Sequence, residues 1–287
     1  MSYILINKPA GWTSFDVVAF MRKKMAGVVI PTAVEVRDAP RGESLKPKRK
    51  GSLHSSEDSV EMTNTDKQKR IKVGHAGTLD PFATGLLIVG VGREATKKLD
   101  EFKNMPKTYV ATIKLGATSD TYDKTGKINP TPYPSPYRGG GYGEGHTSST
   151  SIPSPIRGGT EGGVLSPTIS EIKKIVKSFK GKQKQIPPMF SAKKINGKKL
   201  YELARKGITV ERKANEIKIY KIKILDYSWP FLKIEVQCSV GTYIRSLADD
   251  IGKKLGTGAY CDELVRTKIG KYSLEDAVTP QSLLTTP

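Results

Sequence analysis

The sequence has few of the residues that bind metals or form disulfide bonds. Its 287 residues include only two cysteines, Cys238 and Cys261, and three histidines, His54, His75 and His146. None of them has the spacing of a zinc site, and two cysteines cannot build a disulfide framework. Cys238 lies on the apolar side of a strand pattern, which predicts a buried free thiol. We therefore expect no metal centre and a reducing, cytoplasmic location.

Long apolar runs are also missing. The N-terminal residues 1–9 lack a basic stretch followed by a long apolar segment, so no signal peptide is predicted. No run is long enough to span a bilayer as a helix. Hydrophobic residues make up only 37% of the chain, which predicts that part of its length lies outside any core.

Acidic residues are scarce relative to basic ones. The chain has 28 Asp+Glu against 48 Lys+Arg, a formal net charge of +20. Such an excess favours a polyanionic partner, nucleic acid ahead of a membrane surface. The alternative is a basic protein whose charge serves only solubility, but self-repulsion makes that alternative costly.

Two segments have compositions that cannot bury a core. Residues 27–70 mix Pro, Ser, Thr and charge, and residues 128–168 are dominated by Pro, Gly, Ser and Thr. In the second segment, residues 134–140 recur in degenerate form as residues 153–159. Both are predicted to be disordered insertions. They carry only +2 of the net charge, so +18 belongs to the remaining 202 residues, a normal size for one domain.

The remaining sequence disperses strand and helix patterns. Strands are predicted over 3–7, 109–115 and 232–240, with one or two more over 217–224; helices are predicted after a Thr13 cap, after a Ser170 cap and over 244–255. Residues 86–92 are apolar and fit either a strand or a helix. Because the elements lack regular βαβ spacing, the sequence predicts an α+β fold around a mostly antiparallel sheet.

One polar loop is the most informative stretch for chemistry. Residues 74–87 place a lone carboxylate, Asp80, among Gly, Thr and Pro, immediately before an apolar run. Pro81 biases Asp80 toward an extended backbone, so a helix is not expected to pass through it. A stiffened polar loop with one acid is typical of a functional site. The alternative, equally open at this point, is that Asp-Pro is a turn and Asp80 merely caps a helix.

Four patches of sequence resemble the bacterial tRNA pseudouridine-55 synthases, the TruB family. The first patch is residues 7–14 (NKPAGWTS) and the second is residues 74–85 (GHAGTLDPFATG). The third is residues 107–109 (KTY) with 115–123 (LGATSDTYD). The fourth is residues 185–194 (QIPPMFSAKK) with 241–245 (GTYIR). Their order matches the family and they cover nearly all of the 202 residues, which makes the resemblance highly specific.

The resemblance implies a fold and a reaction. The fold is the pseudouridine synthase catalytic domain, here placed at residues 1–279 with a short tail at 280–287. The reaction is the isomerisation of an extruded uridine to pseudouridine at position 55, in the T-loop of tRNA. It implies no cofactor, tRNA as partner and a monomer. Asp80 matches the essential aspartate and would act as nucleophile, at the sugar or at the uracil ring.

The resemblance also assigns the other site residues. Arg245 would hold Asp80 ionised and aimed, and Tyr109 would stack on the base and move a proton. From the residues alone, Arg245 could equally be a surface arginine, Tyr109 a core tyrosine and His75 a structural histidine. In the family, His75 fills the space that the base vacates. The remaining predicted substrate-binding residues are Gly77, Thr78, Tyr243, Leu264, Lys8, Lys107, Pro188, Met189, Lys193 and Arg205.

A basic segment at residues 183–208 would grip the T-loop. It surrounds Met189 and Phe190 with cations, which would neutralise phosphates while the two side chains give apolar contact. Its cations are Lys184, Lys193, Lys194, Lys198, Lys199, Arg205 and Lys206. The alternative is a solvated basic loop.

The chain departs from the family in two places. The insertions at 27–70 and 128–168 have no family counterpart, and the accessory C-terminal RNA-binding domain of many relatives is expected to be absent. Two other functions remain open. One is a sister synthase acting on ribosomal RNA, which the long basic segment disfavours. The other is an RNA-folding chaperone; intact Asp80, Tyr109 and Arg245 favour an enzyme and leave a dual role open.

Overall fold

The computed structural model describes residues 2–25, 71–131, 166–195 and 197–283. Its helices are α1 (Ser14–Met25), α2 (Arg93–Lys97), α3 (Leu99–Lys103), α4 (Ile169–Ser178), α5 (Leu200–Ala204) and α6 (Ile244–Leu255). Its strands are β1 (Ser2–Lys8), β2 (Val73–Ala76), β3 (Thr84–Val91), β4 (Lys107–Leu115), β5 (Ala117–Ser119), β6 (Ile128–Pro130), β7 (Gly181–Gln185), β8 (Lys194–Ile195), β9 (Lys198–Lys199), β10 (Asn215–Ser228), β11 (Phe231–Cys238), β12 (Ala259–Ile269) and β13 (Tyr272–Ser273).

Nine of these strands form one sheet, which confirms the predicted α+β class. The main order is β1-β3-β12-β4-β11-β10-β7, with β2 paired to β3 and β13 paired to β12. All pairings are antiparallel except β3 with β12, where Val265 faces Thr84 and Arg266 faces Gly85. This parallel junction joins the two halves of the sheet, and the loop of Asp80 enters β3 beside it.

Helices cover the sheet with the apolar faces that their sequences predict. Helix α6 and helix α4 pack on β4, β10, β11 and β12 through a cluster that includes Ile172, Val176, Leu247 and Ile251. Helix α1 packs Val17, Val18 and Met21 on the β1–β3 side, and α2 and α3 cover the opposite face of those strands. The buried Cys238 belongs to the first cluster, as predicted.

Side-chain caps explain where α1 and α4 begin. In α1 the Thr13 N–H donates to Asp16 Oδ2 at 2.7 Å while the Asp16 N–H donates to Thr13 Oγ1 at 3.1 Å, so the predicted cap is confirmed. The predicted Ser170 cap of α4 is wrong. Thr168 is the cap, because Thr168 and Glu171 form a reciprocal capping box that Ser170 cannot make with its own neighbours.

The second insertion is shorter than predicted. The prediction includes residues 128–131 and 166–168, but Ile128–Pro130 pairs with β5 and Thr168 caps α4. Residues 27–70 and 132–165, and with them the repeat, lie outside the described residues. Residues 86–92 resolve as strand β3, and residues 217–224 belong to one strand, β10, with two register shifts. None of the described helices has the length and apolar character needed to cross a membrane.

Candidate active site

Asp80 lies on the loop between β2 and β3, and this loop is fastened from several sides. Ser14 Oγ accepts from the Leu79 N–H at 2.9 Å, and Arg266 donates to the carbonyls of Gly77 and Leu86 at 3.1 and 2.8 Å. The Pro81 carbonyl accepts from the Gly11 N–H at 2.9 Å and from Lys8 Nζ at 3.2 Å. Because the loop's backbone groups are satisfied by α1, β1 and β12, its carboxylate has a fixed position.

Arg245 at the start of α6 holds that carboxylate in a two-point contact. Its Nε donates to Asp80 Oδ2 at 2.9 Å and its Nη2 donates to Asp80 Oδ1 at 3.0 Å. The Arg245 side chain is 4% exposed and the Asp80 side chain is 33% exposed. A bidentate pair of this kind fixes both the distance and the orientation of the carboxylate. The partly exposed carboxylate is therefore held by a buried cation. A buried Arg245 does not fit the alternative of a surface arginine.

The other side of the guanidinium is equally constrained. Nη1 donates to the Thr121 carbonyl at 2.9 Å and to Asp123 Oδ2 at 3.2 Å, and Nη2 donates to the Phe190 carbonyl at 2.8 Å. With the two bonds to Asp80, all five N–H groups of Arg245 are used. Asp123 is buried, so it balances the cation while Asp80 remains available to a ligand. Sequence reasoning missed this role of Asp123, although the residue falls inside the third patch.

Tyr109 and Tyr243 both lie within range of the Asp80 charge, and Leu264 shares an apolar cluster with Leu79, the neighbour of Asp80. Tyr109 on β4 packs against the apolar cluster that contains Leu79 and Leu264. Burial raises the pKa of the Tyr109 phenol, while the positive charge of Arg266 opposes that shift. Tyr243 caps α6, and Gln185 fixes its backbone through bonds of 2.8 Å to its N–H and 3.0 Å to its carbonyl. Burial raises the pKa of Tyr243 as well, so both phenols are neutral at pH 7.

His75 on β2 is neutral and stands next to a groove. Burial, together with the positive charges of Arg266 and Lys103, lowers the pKa of His75 to about 4. Its ring meets Phe15 edge-on, with centroids 5.6 Å apart, and Phe15 is 68% exposed. The groove has a volume of about 500 Å³ and its basic lining residues are Arg22, Lys72, Lys97 and Lys103. Flat neutral rings beside cations suit contact with an RNA segment.

Lys8 and Lys107 are both buried inside the scaffold of the site. Lys8 is fully buried and its Nζ donates to the carbonyls of Pro9, Trp12 and Pro81. Lys107 is buried and its Nζ donates to the carbonyls of residues 103 and 105. Burial lowers the pKa of each lysine to about 8. The geometry therefore makes them internal fasteners of the site, and their contact with substrate stays a prediction.

The basic segment at 183–208 contacts the site through its backbone. The Phe190 carbonyl binds Arg245 and the Ile186 carbonyl accepts from Ser246 Oγ at 3.2 Å. Within the segment, Pro188 is buried, whereas Met189 is partly exposed. Lys193 Nζ donates to Asn215 Oδ1 at 2.6 Å. Lys184, Lys198, Arg205 and Lys206 are exposed and Lys199 is partly exposed; the side chain of Lys194 lies outside the described part of the chain.

Gly85 marks the tightest point of the scaffold and supports a prediction. It pairs with Lys8 on one side and with Arg266 on the other, its φ is +107°, and an added Cβ would lie 2.4 Å from the Arg266 carbonyl oxygen. We expect Gly85→Ala to lower the free energy of unfolding by about 3 kcal/mol or more, because backbone must move. Gly256→Ala is the control: its φ of +73° and ψ of +6° are left-handed but no atom lies within 4 Å of an added Cβ, so a loss of about 1 kcal/mol is expected. Equal losses in urea denaturation would contradict the crowding argument.

The described residues contain no group of three or more His, Cys, Asp or Glu side chains able to hold a metal ion. The chemistry available at the site is that of one held carboxylate, two neutral phenols and a set of buried cations.

The sequence matches two family models. The first, described as the N-terminal domain of TruB family pseudouridylate synthase, matches residues 64–138 and 159–244. The second, described as the tRNA pseudouridylate synthase B C-terminal domain, matches residues 245–286. The boundary between them falls inside α6, between Ile244 and Arg245, so the Asp80–Arg245 pair is formed across it.

Curated relatives match along nearly the whole chain. A protein of Parabacteroides distasonis named tRNA pseudouridine synthase B is 37% identical over 280 residues, which cover 98% of this chain and 90% of the relative. One of the same name from Protochlamydia amoebophila is 36% identical over 275 residues, covering 96% of this chain and 76% of the relative. A third, from Chlamydia abortus, is 41% identical over 207 residues, covering 72% and 74%.

Solved structures share the fold. An H/ACA RNP bound to a substrate RNA containing 2′-deoxyuridine aligns with a TM-score of 0.53 at 21% identity, covering 97% of this chain and 51% of that one. A Cbf5-Nop10-Gar1 complex aligns with a TM-score of 0.53 at 22% identity, covering 96% and 51%. The present chain thus spans about half the length of the chains in these structures.

Proposed function

This chain belongs to the TruB family of pseudouridylate synthases, and from that membership we propose that it isomerises uridine to pseudouridine at position 55, in the T-loop of tRNA. The observation that best supports this proposal is the position of the Asp80 carboxylate. It is fixed on a fastened loop, gripped at two points by a buried arginine, and still one-third exposed.

The reaction makes specific demands on such a carboxylate. The N1–C1′ bond of uridine breaks, a C5–C1′ bond forms, C5 loses a proton and N1 gains one, so no atom or electron is added. Asp80 acts as nucleophile, at C1′ of the sugar or at the uracil ring. A held anion can stabilise or trap a developing cation at the sugar. Arg245 keeps it aimed, because a buried cation with all its donors occupied cannot turn away.

The base must leave its stack before it reacts, and the surroundings of Asp80 suit an extruded uracil. Tyr109 and Leu264 present an aromatic ring and an apolar wall from the same cluster. The phenol of Tyr109 is the group placed to exchange a hydrogen bond or proton with the base. Tyr243 lies within range of the charges of Asp80 and Arg245, and neutral His75 fills the space left by the base in the RNA stack.

The activity and its position can be tested together. Purified protein is incubated with an unmodified tRNA transcript carrying tritium at C5 of uridine, and with a transcript whose T-loop uridine at position 55 is replaced by cytidine. We expect one equivalent of tritium released from the first RNA and none from the second. Equal release from both would move the reaction to another uridine, and no release from either would contradict the proposal.

The basic segment at 183–208 is proposed to neutralise phosphates of the T-loop. Binding to tRNA should weaken steeply with salt, since +18 lies on the 202 residues outside the predicted insertions and the partner is a polyanion. Changing Lys193, Lys194, Lys198 and Lys199 together to Gln should lower the salt slope by roughly one for each phosphate that the variant no longer neutralises. It should raise KM while leaving the single-turnover rate at saturating tRNA nearly unchanged.

The matched control changes four lysines on β10 and β11, Lys218, Lys221, Lys223 and Lys233, all of them exposed. Their replacement by Gln should leave the salt slope close to that of the wild type. If the control lowers the salt slope and the first variant does not, the RNA lies on the face of β10 and β11 and not on the basic segment at 183–208.

We also propose that the protein acts as a monomer in the cytoplasm. Its two buried, unpaired cysteines suit a reducing compartment. Sedimentation equilibrium with and without tRNA would give the mass of one chain and of a one-to-one complex.

A further inference from the structure

Arg266 on β12 is a buried guanidinium that the reaction scheme leaves unused. It is 1% exposed and is among the largest fully buried side chains of the described residues. Its Nε donates to the Leu86 carbonyl at 2.8 Å, its Nη2 to the Gly77 carbonyl at 3.1 Å and its Nη1 to the Thr78 carbonyl at 3.5 Å. Within the described ranges no carboxylate forms an ion pair with it. A buried cation without a counter-ion is costly to keep, so its location calls for a function.

Two parts of the site meet at Arg266. On one side it pairs with Gly85 at the start of β3, directly after the loop that carries Asp80. On the other side it is the register partner of Tyr109 on β4. Residues opposite each other in a ladder have side chains within contact distance. One side chain therefore touches both the fastened loop and the tyrosine placed to meet the base.

The charge of Arg266 also acts on its neighbours. It lowers the pKa of Tyr109 against the larger opposing effect of burial, while Cys238 and Asp80 raise it. It contributes to the lowered pKa of Lys8, Lys107 and His75. Tyr109 thus lies within range of two opposite charges, the Arg266 cation and the Asp80 carboxylate.

We propose that Arg266 is a positioning residue that sets the direction of the Tyr109 hydroxyl, by donating to the phenol oxygen while its other N–H groups hold the Asp80 loop. This inference rests on the proposed function. Three of the five guanidinium N–H groups serve carbonyls, which leaves donors for the phenol oxygen. A phenol has one proton and can accept at its oxygen. A donor cation repels that proton and turns it away from Arg266.

The consequence is that Tyr109 meets the reacting nucleotide as a hydrogen-bond donor. A proton aimed away from Arg266 can be given to an oxygen or nitrogen of the detached base as it gathers negative charge. A purely structural Arg266 would fasten the loop and leave the direction of the hydroxyl undetermined. The two cases differ in whether the effect of Arg266 depends on the Tyr109 oxygen.

A double-mutant cycle separates them. Single-turnover rates of pseudouridine formation at saturating tRNA are measured for the wild type, Arg266→Lys, Tyr109→Phe and the double variant, with thermal unfolding and tRNA affinity for each. Arg93→Lys, an exposed arginine at the start of α2, is the control and should retain the wild-type rate.

We expect Arg266→Lys to lower the rate of the wild-type enzyme by about 10²-fold. In the Tyr109→Phe enzyme the same change should lower the rate by about tenfold or less, since the oxygen on which Arg266 acts is gone. An equal factor in both backgrounds would leave only a loop fastener and overturn the proposal. If Arg266→Lys does not fold, the Tyr109→Phe variant decides alone. Its single-turnover rate must fall while its affinity for tRNA is kept. A rate equal to that of the wild type overturns the proposal. The wild-type rate in the same series reports on the proposed function separately.

Discussion

Replacing Asp80 by asparagine is expected to lower pseudouridine formation by about 10⁴-fold or more, the scale on which removal of a nucleophile acts. Asparagine has nearly the same size, but its amide cannot serve as an anionic nucleophile. It would also turn an NH₂ group toward Arg245, which offers only donors. Affinity for tRNA should remain within a few-fold, because one loop carboxylate contributes little to binding a polyanion. Single-turnover tritium release from C5 and filter binding measure the two quantities.

The control for that variant is Asp100→Asn, which removes an exposed carboxylate from α3 whose partner is Lys103. It should keep the wild-type rate. Thermal unfolding of both variants shows whether loss of the Asp80 charge, which faces Arg245, disturbs the fold. Turnover near the wild-type level in a folded Asp80→Asn protein would remove Asp80 from the role of nucleophile, and with it the account of the site.

Replacing Arg245 by lysine is expected to slow the reaction by about 10²-fold, the cost of misplacing a reacting group by roughly 1 Å. Lysine retains the charge but has three donors at one point, whereas Arg245 uses five donors in a planar fork. The two-point grip on Asp80 would be lost, and so would the simultaneous bond to the Phe190 carbonyl. The rate at saturating tRNA should fall far more than the affinity.

Arg93→Lys again serves as the matched control, since it makes the same chemical change on an exposed helix. A wild-type rate in folded Arg245→Lys would mean that charge alone, without bidentate geometry, is enough to orient Asp80. That outcome would leave the fixed position of the carboxylate without a function.

Local patterns predicted the elements whose faces differ in burial. The alternation at 109–115 and 232–238 became β4 and β11, and the stripe at 244–255 became α6, since each buries one face against the same cluster. Residues 86–92 stayed ambiguous because β3 is buried on both faces. Val240 was included in a strand by its place in the alternation, but the chain turns there and leaves it 51% exposed.

The site was predictable only in part, because its contacts join distant residues. Asp80 was found from its loop, but Arg245 is 165 residues away and no spacing rule connects them; the family resemblance did. Arg266 was missed, although a basic residue at an inward position of strand pattern 264–269 was a usable signal. Lys8 was expected to touch substrate, because a sequence cannot tell a surface lysine from one bonded to three carbonyls.

Mapping pseudouridine at single-nucleotide resolution in a pool of unmodified tRNAs tests the central claim most directly. The pool is incubated with the wild type and, separately, with Asp80→Asn, at enzyme concentrations above the measured Kd. The account predicts one new pseudouridine at position 55 of the T-loop in the wild-type sample and none in the variant sample. Pseudouridine at other positions only, or equal modification by the two proteins, would contradict it.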